Sequence, residues 1–209
     1  MSPSCMGYTT THLAWRIILF FLLLVSYCAT ASAQRGAMAV PRNLSEMVDE
    51  AGVILRGQVV SAKVEPHPDF PALWTVSVTL RVEESLKGAP GNAYTFRQFI
   101  WDPRDREDAA GYRPGRDLVL LLVSPSARGL SSPVGLEQGR FQITSDSSGK
   151  LYATNGRNNI GLFRGIAARA NAKGLSLTPH AVALATVEPQ GPIAWNDLRE
   201  LIQQLAGGK

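Results

Sequence analysis

The strongest constraint on this chain is a run of apolar/polar repeats in which Trp74, Val76, Val78, Leu80 and Val82 alternate with Thr75, Ser77, Thr79, Arg81 and Glu83. Successive side chains of a strand point to opposite faces, so the pattern predicts a half-buried β-strand with one face in a core. The preceding stretch, residues 53–64, is rich in β-branched residues but alternates less cleanly and carries Gly57 in its middle, the mark of a bulge or sharp bend. It is expected to form a long bent strand serving both sides of a small barrel. Full burial of one Val or Leu side chain stabilises by roughly 1.5–3 kcal/mol, so the apolar face of residues 74–82 is a sufficient nucleus for a core.

Around this pair the remaining elements fall in order. Pro41 and Asn43 precede a short helix expected over residues 44–50, with Asn43 as its cap and Leu44, Met47 and Val48 on one face. The two-proline segment His67-Pro68-Asp69-Phe70-Pro71 predicts a surface loop. Residues 84–88 end the second strand, 89–92 make a turn, and a third strand follows over 94–100. Leu118 to Val123, LVLLLV, has no polar position and predicts a strand covered on both faces. Residues 140–144 and 150–154 flank Ser145-Asp146-Ser147-Ser148-Gly149 as a hairpin. Asn155-Gly156 and Asn158-Asn159 then add a turn, and residues 167–172 leave helix and irregular backbone open. Ile193, Trp195, Leu198, Leu201, Ile202 and Leu205 form a helical stripe, read as capped near Asn196 and ending before Gly207.

The amino-terminal end predicts export. Arg16 precedes the apolar run of residues 17–27, IILFFLLLVSY, and the small-residue pattern Ala31-Ser32-Ala33 predicts cleavage before Gln34. The apolar run is shorter than the roughly 20 residues a membrane-spanning helix requires. A lipid-modified Cys28 is disfavoured by the bulky Tyr27 before it. Cleavage removes both Cys5 and Cys28, so the mature chain must rest on its own core without disulfides. The expected organisation is a signal peptide over 1–33, a polar leader over 34–42, a β-barrel over 43–165, and a C-terminal extension over 166–209 with a helix at about 195–206. The expected location is secreted or periplasmic.

No pattern of a catalytic or cofactor site stands out. The mature chain holds only His67 and His180 and no Cys, which argues against a zinc ligand set. Glu83 and Glu84 are strand neighbours and point apart, so they cannot flank one bond as glycosidase acids do. Asp102, Asp105, Glu107 and Asp108 alternate with Arg104 and Arg106, a self-paired solvated loop rather than a calcium loop. Asn43-Leu44-Ser45 matches the glycosylation acceptor pattern. The later part of the chain is basic: Arg140, Lys150, Arg157, Arg164, Arg169 and Lys173 face only Asp146 as acid between residues 140 and 180. With Phe141, Tyr152 and Phe163 as stacking surfaces, Arg140, Lys150, Tyr152, Arg157 and Arg164 form the candidate ligand-binding set. The competing explanation is a solvated basic face over a core, since Phe141 and Ile143 alternate with Arg140 and Gln142 as in an ordinary core-facing strand.

The phrase AGVILRGQVVSAKVEP, followed by a strand ending in VEESLKG, resembles the opening half of the netrin-like barrels of tissue inhibitors of metalloproteinases and related secreted modules, over about residues 50–123. It also looks like a group of exported bacterial single-domain proteins of unassigned function. The resemblance implies an OB-like or netrin-like antiparallel barrel, closed or partly open, with a short N-terminal and a C-terminal helix. It further implies binding rather than catalysis. The zinc-chelating amino-terminal cysteine and the bracing disulfides of the inhibitors have no counterpart in the mature chain, so that mechanism does not carry over. The expectation is an exported non-catalytic module, protein-binding and hydrolase-inhibiting, without cofactor, nucleic-acid partner or membrane span after cleavage. The alternatives are polyanion or envelope-glycan binding through the basic segment, and an enzyme whose site sequence does not reveal.

Overall fold

A computed structural model describes residues 40–101 and 111–207 of the chain. The expected signal peptide, most of the expected leader and the alternating acid–arginine loop lie outside the described residues. Helix α1 (Leu44–Glu50) begins as the sequence predicts: the Asn43 side chain accepts from the Glu46 N–H while the Glu46 carboxylate accepts from the Asn43 N–H. Asn43 is half-buried and Ser45 fully buried in this helix start. At the other end of the helix Lys87 Nζ donates to the Val48 carbonyl at 2.7 Å.

The chain then runs into β1 (Ala51–Pro66), β2 (Trp74–Lys87) and β3 (Ala93–Phe99), an antiparallel meander. β4 (Asp117–Val123) pairs with the first half of β1 on its other side. β5 (Arg140–Ser145), β6 (Leu151–Asn155) and the two-residue β7 (Ile193–Ala194) extend the sheet to seven strands in the order β3-β2-β1-β4-β5-β6-β7. The sheet is antiparallel throughout and open at β3 and β7. The loop after β4 reaches back to the free edge of β3, where the Ser131 N–H donates to the Arg97 carbonyl at 2.8 Å.

Bulges give the long strands their bend. The β1–β2 register shifts between Ile54 and Leu55, between Arg56 and Gly57, and between Val59 and Ser61. At Gly57 a Cβ would lie 2.5 Å from the Arg81 carbonyl oxygen, so a side chain cannot enter where the two backbones close up. A bulge reverses which face later side chains take. Trp74 to Val82 therefore pack in one core, whereas Leu86 packs in the other. β2 ends at Lys87, within the residues 84–88 expected to close it, and the bulge absorbs the break in alternation after Val82.

Two cores result, divided by β4. Leu118, Leu120 and Leu122 join Leu55, Val59, Val76, Val78, Leu80, Phe96 and Tyr112 on the side enclosed by the meander. Val119 and Leu121 face the helical side, with Phe141, Ile143 and Ala153 of the hairpin. That second core is filled by α1, α2 (Ile166–Ala172), α3 (Pro179–Val187) and α4 (Trp195–Leu205). α2 resolves the ambiguity of residues 167–172 as helix. α3 was not foreseen, because its apolar residues are distributed around the whole circumference and give no stripe. The expected cap of the last helix is corrected: the N-cap is Ala194, held by β7 pairing with β6, and Asn196 lies inside the first turn.

The turn after β6 is built on a reciprocal amide pair. Asn159, fully buried and left-handed at φ 58°, donates to the carbonyls of Ala153 and Gly191 and accepts from the Asn155 N–H. Asn155 accepts from the N–H groups of Arg157 and Asn159 and donates to the Gln138 carbonyl. Leaving such buried groups unpaired costs about 1–3 kcal/mol each. Asn159→Ala is expected to destabilise the fold by roughly 2–4 kcal/mol in denaturant unfolding.

A second prediction separates β4 from a strand with one wet face. Leu120→Ala and Leu121→Ala, neighbours on opposite faces, are each expected to cost about 2–5 kcal/mol. A strand with a solvated face would show one costly and one near-silent substitution.

Candidate functional site

The β5–β6 hairpin presents one face to the helical core and the other to an open groove. Phe141 and Ile143 are buried among the helices, so Arg140, Gln142 and Thr144 point the other way. Register sets their neighbours: Gln142 lies between Leu118 of β4 and Thr154 of β6, Arg140 lies opposite Leu120, and Thr144 lies opposite Tyr152. The groove occupies about 330 Å³ above Leu118, Gln142, Thr144 and Thr154, and is bounded by Arg116, Arg140 and the edge of the Asn155 turn. The side chains of Gln142, Thr144 and Thr154 hydrogen-bond to no described residue, and the Arg116 guanidinium has no ion pair among the described residues.

An arch at residues 111–116 forms one wall. Gly111 adopts φ 82°, and a Cβ on it would lie 2.4 Å from the Arg140 Cζ, so the glycine lets the backbone rest directly on the guanidinium. Arg140 also lies over the Tyr112 ring at 5.2 Å from its centroid and 3.9 Å from the Glu137 carboxylate. Tyr112 is fully buried, edge-on to Phe96, and donates its O–H to Gln98 Oε1 at 2.6 Å. Burial pushes its phenol up to about 12, partly offset by the Arg140 guanidinium. At the end of the arch the Gly115 N–H donates to the Val59 carbonyl and the Arg116 N–H to the Arg113 carbonyl.

The five residues singled out from sequence are distributed as follows. Arg140 bounds the groove. Tyr152 lies on the same face, a step further along the hairpin, with Lys150 Nζ 5.5 Å from its ring centroid. Lys150 itself lines a smaller cleft of about 260 Å³ against Ala194, Trp195 and Asn196. Arg157 and Arg164 are exposed in the turn between β6 and α2. The expected stacking surfaces Phe141 and Phe163 are corrected to core residues, at 0% and 1% exposure. The basic excess is also less available than its count implies, since Arg169 pairs with Glu46 and Lys173 with Asp49, both on α1.

Arg116, Gln142, Thr144 and Thr154 were missed as ligand candidates. The alternation of β5 carried the signal for Gln142 and Thr144, the polar partners of a core-facing strand. Nothing local marks Arg116, which pairing of β4 with β5 brings to the groove.

Several titratable groups elsewhere have structural partners. Buried His67 accepts from the Asp69 N–H on Nδ1 and bonds the Arg128 carbonyl through Nε2 at 2.9 Å, which joins the β1–β2 loop to the loop after β4. His180 lies 3.2 Å from Asp197. Arg56 is bidentate to Asp117, touches Glu83, and lies over Trp195; Glu84 pairs with Arg199. Among the described residues no group of three or more His, Cys, Asp or Glu is placed to hold a metal ion, and no helix is long and apolar enough to cross a membrane. No family model, curated protein or solved structure matches the chain.

Two pH responses follow. Tyr112 holds its proton to about pH 12 when folded, whereas the unfolded phenol loses it near 10.0, so stability falls as pH rises through that window, by roughly 2–3 kcal/mol. Stability measured from pH 9 to 12 is expected to fall more steeply for the native chain than for Tyr112→Phe. At the hairpin tip, the Ser148 hydroxyl and then the Ser148 and Lys150 N–H groups hold the Asp146 carboxyl below its usual range. A depressed carboxyl supports structure above its unfolded value and loses that support as pH falls through the folded one. Acid is therefore expected to loosen the tip, seen as loss of amide-exchange protection at Lys150 before the core opens.

Proposed function

We propose that this chain is an exported, non-catalytic binding module that seats an anionic, hydroxyl-rich ligand of the cell envelope or its surroundings in the β4–β5–β6 groove. The observation that carries the reading is the polar floor of exposed Gln142 and Thr144 and half-buried Thr154, whose side chains bond no described residue, beside the Arg116 guanidinium, which has no ion pair among the described residues. Its volume of about 330 Å³ lies at the small end of the ~300–1,000 Å³ typical of ligand pockets. That size suits one ring-sized unit of a polymer better than a protein loop, and so favours polyanion or glycan binding over protein binding and hydrolase inhibition. General acid–base chemistry requires a side chain that titrates near working pH. Guanidinium, amide and hydroxyl groups instead hold and orient an anion.

We take the rolled half of the sheet, β1 to β4, as OB-like and netrin-like. Folds of that class use one face of the barrel for oligosaccharides and oligonucleotides, and the groove lies where that face continues onto the hairpin. The apolar run of residues 17–27 and Ala31-Ser32-Ala33 support export, to the periplasm or the medium.

The test is retention of the chain on an anionic glycan column across a salt gradient. Arg116→Gln is expected to elute at clearly lower salt, with at least a tenfold loss of affinity, while Arg164→Gln elutes with the native chain. Equal losses for both variants would show diffuse charge attraction and overturn the groove as the site.

A further inference from the structure

We infer that the groove is a subsite for a single carboxylate-bearing sugar unit, with Arg116 as the partner of the carboxylate and Gln142, Thr144 and Thr154 as readers of the hydroxyls; this rests on the groove being the binding site as proposed above. Three observations distinguish this unit from phosphate or a neutral sugar.

The first is the charge available. Of the two guanidiniums at the groove, Arg140 is engaged by the Tyr112 ring, the Gly111 backbone and the nearby Glu137 carboxylate. Arg116 alone has no ion pair among the described residues. One open planar fork matches one carboxylate, which it can hold through two parallel hydrogen bonds. A phosphate monoester carries about −1.5 to −2 charges and three acceptor oxygens, more than one fork satisfies.

The second is the backbone. Phosphate sites draw on clustered free N–H groups at helix starts or glycine-rich turns. Here the N–H groups of Gly115, Arg116 and Gly156 donate to the carbonyls of Val59, Arg113 and Glu137. The floor residues sit inside the β4–β5 and β5–β6 ladders. None of the Gly115, Arg116 and Gly156 amides is therefore open to an anion.

The third is the chemistry of the floor. A sugar hydroxyl both donates and accepts, as do the Thr hydroxyls and the Gln amide. Gln142 and Thr154 form a cross-strand pair, which places their side chains about 5 Å apart at the root. Thr144 follows two residues along the strand, roughly 7 Å away. The three polar groups thus spread over about the width of one sugar ring, with Leu118 beneath as an apolar rest for ring carbons. An inorganic anion would leave the donor–acceptor groups at the far side without partners.

The experiment follows backbone amide shifts of the full chain while glucuronate, its methyl ester, glucose and inorganic phosphate are titrated separately. Glucuronate is expected to move the amides of Gln142, Thr144 and Thr154, with the ester and glucose at least tenfold weaker. Arg116→Gln is expected to reduce glucuronate to the level of glucose. Thr154→Val is expected to weaken glucuronate and glucose alike, with the thermal midpoint of both variants confirming the fold. Phosphate moving the same amides as tightly as glucuronate, or an ester that binds equally well, would overturn the carboxylate assignment. Should Arg116→Gln abolish column retention while glucuronate leaves these amides unmoved, the groove stands as the site and the sugar-unit inference falls. No native retention together with no glucuronate response would remove both.

Discussion

The structure depends on β4 having no solvent face. Leu118, Leu120 and Leu122 complete the core enclosed by the β1–β2–β3 meander, while Val119 and Leu121 complete the core beneath the helices. One strand as a common wall makes the two halves interdependent: the meander cannot close its core without β4, and the helices have no sheet to rest on without it. The long bent β1 is the other half of this arrangement, pairing with β2 along its length and with β4 over its first half. Its bulges, with Gly57 where the backbones approach most closely, let one strand serve two curvatures.

The groove is a consequence of where the first core ends. β5 pairs with β4 over Leu118, Val119 and Leu120, so the residues opposite those leucines would lie in the core if the meander extended further. Tyr112 ends it, buried on one side and carrying Arg140 on the other. Beyond Tyr112 the same sheet face is polar, and the side chains of Gln142, Thr144 and Thr154 reach solvent without a hydrogen-bond partner among the described residues. A binding face that continues from a core in this way is rigid by construction, since its floor residues are fixed by the ladders that hold the fold together.

Charge shows how linear order and spatial order part. The segment of residues 140–180 is basic when read along the chain, yet Arg169 and Lys173 are neutralised by Glu46 and Asp49, more than a hundred positions earlier. Arg140 is absorbed into the arch that walls the groove. Arg116, embedded in a stretch that counts as acidic, has no ion pair among the described residues and borders the groove. A net charge over a window measures neither exposure nor pairing, and both are set by long-range contacts.

Neighbours in the chain suffice to set the half-buried alternation of β2, the capped helix after Asn43, the bend at Gly57, the double burial of β4, the hairpin around Asp146 and the last helix. Each follows from periodicity or from a side chain bonding backbone a few residues away. Tertiary structure alone decided that the sheet stays open at seven strands and that β7 adds to its edge. It also decided that α3 forms without an apolar stripe, that Phe141 and Phe163 are core rather than stacking surfaces, and that Arg116 meets Gln142 and Thr154. These depend on pairings between segments distant in sequence, whose free energy comes from shared burial and from strand registers that no local window contains.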